Sequence, residues 1–364
     1  MNDGLYIHIP FCIRKCPYCD FYSMACNEDL MDKFTEHTVS LISNCNVELH
    51  PDTIYFGGGT PTALGEKRLG KILSIAMEHF NFECGEVTVE ANPCTLDEDY
   101  LKSLLKMGFN RLSMGFQSGN DDELKLLGRL HDVNVAKNAY YMARKVGFSN
   151  ISLDIMLGLP NQTVESAINS AKEIIALNPE HISAYLLKIE KGTKFDKLYK
   201  STEDFEDKQA EIYEQICSLM KENGYIQYEI SNFSKIGYES KHNNKYWKLD
   251  DYLGIGPSAH SKIGDKRFFM ERDLNAYLKG ESIEDLLIFD DYAGDFDEYV
   301  MLRLRLKDGI NLEEAEKFYP NKTAELIKKA KPMIDLGYVI YDEKTLSLTT
   351  EGFLISNYII SRLI

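Results

Sequence analysis

At 364 residues, 44% of them hydrophobic, the chain is long enough to bury one large core and carry an appended module. Its 57 acidic residues against 41 Lys and Arg give a formal charge of −16, which opposes non-specific binding to nucleic acid or to anionic membranes. The opening residues Met1 to Tyr6 carry no basic stretch followed by an apolar one, and no later run is long enough to span a bilayer, so no transmembrane segment and a cytoplasmic location are expected.

Taken in chain order, β-rich runs at 5–10, 53–57, 86–92, 111–117, 151–157 and 182–189 alternate with segments of helical apolar spacing at 30–42, 69–80, 97–107, 134–146 and 164–177. Six βα units predict an α/β fold with a parallel sheet or barrel. A helix at 205–223 follows, and then an irregular, aromatic-rich stretch from 225 to 289. Helices are predicted at 296–306, 312–319 and 323–336, strands at 338–341 and 346–349, and a last helix at 351–363. These divide the chain into a barrel (1–224), an irregular segment (225–290) and a winged-helix-like α+β module (291–364). Acidic residues outnumber basic ones from Asp291 onward, which disfavours DNA binding by that module and leaves it to cover the barrel.

Polar or Gly-rich groups collect where the predicted strands end: the cysteine loop after the first, Gly57 to Thr62 after the second, Glu90 to Pro93 at the third. Gln117 closes the fourth, Asp154 lies in the fifth, and Lys188 and Glu190 close the sixth. In parallel βα architectures the carboxyl ends of the strands face the ligand, so these residues are expected to converge. The competing reading is helix capping and turn chemistry.

Three of the eight cysteines, Cys12, Cys16 and Cys19, follow the spacing C-x3-C-x2-C, and the other five are scattered. Three thiolates on one loop can each bind an iron of a cubane cluster and leave the fourth iron open. Arg14 and Lys15 between them offset the thiolates' negative charge. A structural zinc site completed by His8 or Cys26 is the alternative.

The run from Tyr6 through Cys12 to Phe21, followed by Gly-Gly-Gly-Thr-Pro-Thr, resembles radical-SAM proteins related to anaerobic coproporphyrinogen dehydrogenase. The resemblance implies a partial (βα)6 TIM-like barrel, a [4Fe-4S] cluster on Cys12, Cys16 and Cys19, S-adenosylmethionine on the open iron, and an electron donor. It assigns Tyr6, Gly58, Gly59, Thr60, Glu90, Gln117, Arg129, Asp154 and Lys188 to the S-adenosylmethionine pocket and brings the glycine-rich segment ending at His260 close to the adenine. The triple glycine permits close approach of backbone N–H groups to a ligand. Taken by themselves, Arg129 reads equally as a surface arginine, and Glu90 and Asp154 as ion-pair partners.

His242-Asn243-Asn244-Lys245-Tyr246-Trp247 contains HNxxYW, a string similar to that of HemW-type haem chaperones. The similarity implies haem as cargo, held by His242 with Tyr246 and Trp247 nearby and His260 as a second candidate, and delivered to an acceptor protein. The dehydrogenase has a further cysteine where Phe21 stands here, and a longer leader before its first strand. Two enzymatic readings stay open: oxygen-independent decarboxylation of coproporphyrinogen III, and radical methylation of haem. Whether the chain dimerises is also open.

Overall fold

The structure is a computed structural model and describes residues 3–364. The chain opens on β1 (Asp3–Ile9), pairs β2 (Phe11–Cys12) with β3 (Met24–Ala25), and enters α1 (Glu28–Ser43). The predicted alternation follows: β4 (Pro51–Gly58), α2 (Glu66–His79), β5 (Glu86–Ala91), α3 (Glu98–Met107), β6 (Arg111–Gln117), α4 (Asp121–Leu126), α5 (Val133–Val146), β7 (Ile151–Leu157), α6 (Val164–Leu177) and β8 (His181–Leu186). The six strands β1, β4, β5, β6, β7 and β8 lie side by side in that order, each parallel to the next, as a partial (βα)6 barrel. Helix starts carry the expected caps. Asp97, Asp132 and Thr163 accept from the backbone N–H three residues on, and Gly108 and Gly147 end α3 and α5 in left-handed conformation.

Both faces of these strands are largely buried, but they differ in kind. Leu5, Ile7, Ile9, Phe56, Val89, Leu112 and Leu153 are fully buried in the apolar core. Alternate residues Tyr6, Tyr55, Thr88 and Arg111 stand in register across four strands on the other face, which lines the barrel lumen. The lumen is therefore polar along its length.

After α7 (Lys194–Leu198) and α8 (Glu203–Glu222), the stretch read as irregular contains short strands and helices joined by loops: β9 (Ile226–Gln227), β10 (Asn232–Ser234), then α9 (Lys241–Lys248), β11 (Tyr252–Ile255), β12 (His260–Ile263), β13 (Lys266–Phe269) and β14 (Ile288–Tyr292). They extend the sheet at both edges to the order β14-β13-β12-β11-β1-β4-β5-β6-β7-β8-β10-β9. Strands of two to five residues leave too short a window for alternation to show.

The C-terminal module has helices Phe296–Arg303, Leu312–Phe318 and Thr323–Asp335 with a three-stranded antiparallel sheet of β15 (Ile310–Asn311), β16 (Val339–Tyr341) and β17 (Thr345–Leu348). The last helix is broken at Ile355 into Thr350–Leu354 and Ser356–Leu363. Backbone bonds tie the module to the turn between β9 and β10, from Ile230 N–H to the Arg305 carbonyl (3.0 Å) and from Lys307 N–H to the Tyr228 carbonyl (2.9 Å). Among the described residues, no helix is long and apolar enough to cross a membrane.

Candidate functional site

The cysteine loop leaves the carboxyl end of β1, and its three thiols are partly exposed. Its own backbone turns on a bond from Cys19 N–H to the Cys16 carbonyl (3.2 Å), and neighbours clamp it from several sides. Gly59 N–H donates to Ile9 O and Thr60 N–H to Phe11 O, both at 2.8 Å, while Thr60 Oγ1 lies 3.5 Å from Cys12 Sγ. Arg14 donates to the carbonyls of Gly128 and Arg129. Phe195 N–H donates to Pro17 O (3.1 Å), and Arg272 donates to Asp20.

The triple glycine also serves the chain itself. The close approach at Gly59 is to the chain itself, since a Cβ there would lie 2.6 Å from Phe11 O and 2.9 Å from Ile9 O. Gly58, at φ +107°, lies against the His8 ring. The N–H groups of Gly59 and Thr60 are spent on holding the cysteine segment. Gly59→Ala is expected to push that segment off β4, lower stability by about 1–3 kcal/mol and reduce iron–sulfur loading, as read by urea unfolding and iron analysis.

Arg129 reaches the same place from the turn after α4. Its Nη1 lies 3.6 Å from Cys16 Sγ, its Nη2 donates to Gly115 O (3.2 Å), and its Nε is buried without a partner. Gln117, at φ +73° on a bulge of β6, folds back over Gly115, where a Cβ would lie 2.6 Å from the Gln117 amide nitrogen and 2.9 Å from Arg129 Nη2. Cys16, Thr60 and Arg129 line one cavity with Asn92 and Cys94, two residues the spacing of the cysteines did not single out.

Glu90 and Asp154 face the lumen below. Burial raises the Glu90 carboxyl to about 7, with the nearby Asp154 charge adding to it, although Tyr55 Oη donates to its Oε1 at 2.8 Å. Burial raises Asp154 to about 6 against hydrogen bonds from Ser183 and Ser113. Tyr6 Oη is 3.1 Å from His8 Nδ1. Glu90, Gln117, Arg129 and Asp154 thus lie toward the end of the sheet that holds the cysteines, while Tyr6 stands in the row of Tyr55, its ring centroid 6.3 Å from that of His242. Lys188 does not join them: β8 stops at Leu186, and the exposed Lys188 side chain pairs with Glu190 at 2.8 Å. His260, at the start of β12, is exposed and lies beyond β1 and β11.

The geometry removes His8 as a fourth ligand for zinc. His8, 4% exposed, gives its Nε2 proton to the Tyr22 carbonyl (3.0 Å) and accepts from Tyr6 on Nδ1, so it has no lone pair for a metal. Among the described residues, no group of three or more His, Cys, Asp or Glu is arranged to hold a metal ion. Thiolates on a cubane each reach their own iron and stand further apart than ligands of one ion. Arg129, with Nη1 beside Cys16 and Nε without a partner, suits a carboxylate brought next to the cluster.

The HNxxYW residues lie elsewhere, and His242, expected to contact haem, is buried in this structure. Helix α9 closes the opposite end of the barrel. His242, 1% exposed, stacks on Tyr55 at 5.1 Å between ring centroids, bonds Thr53 Oγ1 through Nδ1 and Tyr246 Oη through Nε2, both at 2.8 Å, and its backbone N–H donates to Glu86 (3.3 Å). Burial drives its pKa down to about 3, keeping the ring neutral. With both nitrogens engaged, no lone pair is offered to an iron. Tyr246 packs edge-on against Tyr252, and Trp247 lies under the Arg305 guanidinium of the C-terminal module. The motif is the joint between barrel and module.

Comparison with known proteins agrees with this architecture. Residues 6–174 match the Radical SAM superfamily and 296–355 the HemN C-terminal domain. Among curated relatives, the heme chaperone HemW of Haemophilus influenzae is 34% identical, covering 97% of this chain and 96% of its own, and HemW of Bacillus subtilis is 34% identical with the same coverage. HemW of Escherichia coli is 39% identical over 71% of this chain and 70% of its own. The coproporphyrinogen III oxidase HemN of Escherichia coli shares the fold with a TM-score of 0.84 at 23% identity, covering 100% of this chain and 90% of that one. The chain belongs to the HemW family of the radical SAM superfamily.

Proposed function

We propose that this protein is a haem chaperone that binds a 4Fe–4S cluster through Cys12, Cys16 and Cys19, holds S-adenosylmethionine at the carboxyl ends of the strands, and passes haem to an acceptor protein. The observation that carries the cofactor reading is the meeting of three partly exposed thiols on a clamped loop with the unpartnered Arg129 Nε and the two lumen carboxyls. The haem reading rests on family membership, since the relatives bear the name heme chaperone. Residues 1–224 form the cofactor-binding unit in this reading, 225–290 the extension and plug, and 291–364 the cover of the plug. Held by Cys12, Cys16 and Cys19 and reduced by an external donor, the cluster would supply the electron for cleavage of a carbon–sulfur bond of S-adenosylmethionine. Arg129 pairs the methionyl carboxylate, Gln117 supplies a donor and an acceptor beside it, and Glu90 and Asp154 accept from amine and ribose hydroxyls.

The raised carboxyls give this pocket a pH signature. A ligand that needs carboxylate acceptors binds while Glu90 and Asp154 are ionised, so affinity falls as pH drops through about 7 and then about 6. S-adenosylmethionine affinity, measured by calorimetry on the cluster-loaded protein, is expected to weaken by about tenfold or more between pH about 8 and about 5.5. Glu90→Gln removes the upper part of that slope. A flat profile in the wild type would place both carboxyls outside the pocket.

The function itself is tested by loading the cluster-bound protein with haem under anaerobic conditions and adding apomyoglobin. Transfer faster than from free haem supports the chaperone. Conversion of coproporphyrinogen III to protoporphyrinogen IX by the same preparation with reductant and S-adenosylmethionine would make it an enzyme instead.

A further inference from the structure

This inference rests on the haem-carrier reading and locates the haem. Haem presents an iron with axial positions, two broad apolar faces and carboxylate side chains, so it calls for an accessible imidazole beside a flat apolar surface. The chain has eight histidines. His8, His131, His181 and His242 are buried, and His37 and His79 spend Nε2 on the carbonyls of Tyr277 (2.8 Å) and Cys45 (3.0 Å). Of the two exposed ones, His50 pairs with Glu48 at 3.7 Å.

His260 is different in both respects. Among the described residues, nothing hydrogen-bonds its ring, and it stands in line with two apolar side chains on a strand face whose further residues, Lys262 and Arg267, are charged. It lies directly opposite Phe269, 6.1 Å between ring centroids, and Phe269 lies opposite Ile288, which is 36% exposed on the last strand of the sheet. Directly opposed residues share a face. Tyr6 pairs with Gly254 and Tyr252 with Lys262, so strand alternation puts His260 on the Tyr6 side, the side of the lumen. The chain leaves β13 after Phe269, and three residues on, Arg272 holds Asp20, the neighbour of Cys19. One short piece of backbone therefore joins this face to the cysteine loop.

We infer that His260 is the axial ligand of the haem iron and that Phe269 and Ile288 support the porphyrin face on its side. The bond is dative, from an imidazole nitrogen lone pair to the iron, and needs no oxidant or leaving group.

The test is an anaerobic haemin titration of the full, cluster-loaded chain as wild type, His260→Ala, His260→Gly and His50→Ala. A saturable Soret band is expected in the wild type and in His50→Ala. His260→Ala should bind at least about tenfold more weakly with unchanged cluster iron, and free imidazole should restore the wild-type spectrum to His260→Gly. Wild-type affinity and spectrum in His260→Ala overturn the assignment while leaving the haem-carrier reading intact. Absence of a saturable band in the wild type overturns both.

Discussion

Replacing Cys12, Cys16 and Cys19 together with alanine is expected to abolish iron–sulfur loading and leave the fold in place. The thiols are partly exposed, and the loop is held by backbone and side-chain bonds from Gly59, Thr60, Arg14, Phe195 and Arg272 that do not involve sulfur. Iron and acid-labile sulfide per chain after anaerobic reconstitution should fall from about four each to near zero, with the circular dichroism spectrum unchanged. Undiminished iron and sulfide in the variant would put the ligands elsewhere. One tightly held zinc per wild-type chain, with no sulfide, would restore the zinc alternative.

His242→Ala is expected to cost stability, where a surface haem ligand would cost only affinity. Removing the ring deletes a stacked contact with Tyr55 and leaves the Thr53 and Tyr246 hydroxyls without their partner, Thr53 being fully buried. A core cavity with unpaired polar atoms costs about 2–4 kcal/mol, measurable as a lower urea midpoint. Haem affinity per folded molecule should stay at the wild-type value. Lost affinity at unchanged stability would return His242 to the haem site.

The same residue predicts a sign for pH. Its folded pKa is about 3, below the ordinary histidine value of 6.5, so the unfolded chain binds the proton more tightly and stability falls as pH drops below about 6.5. His8 and His131, both held near 4, act in the same direction. Glu90 and Asp154, with folded values raised to about 7 and about 6, oppose them by favouring the folded state as they take up protons. The wild-type minus His242→Ala stability difference should therefore shrink on acidification from about pH 7 to about pH 4.

How much of this was legible in the sequence depended on the range of the interactions. The six parallel strands and their helices were, because alternation and helical spacing repeat over windows longer than the elements themselves. The three thiols were, because a short loop confines them whatever surrounds it. The short strands between 225 and 292 were not, and neither was the left-handed turn at Gln117 that brings its amide beside Arg129.

HNxxYW marks the limit most clearly. Its residues suit a haem pocket as a string, but local sequence does not determine what a helix face meets. The histidine's partners, Thr53 and Glu86, are 189 and 156 positions away, and only closure of the barrel brings them under α9. The spacing of residue types along the chain determined the sheet, its helices and the cysteine loop. Tertiary packing decided which histidine is buried at the joint and which one faces solvent, because burial and hydrogen-bond satisfaction depend on contacts between elements that are far apart in the chain.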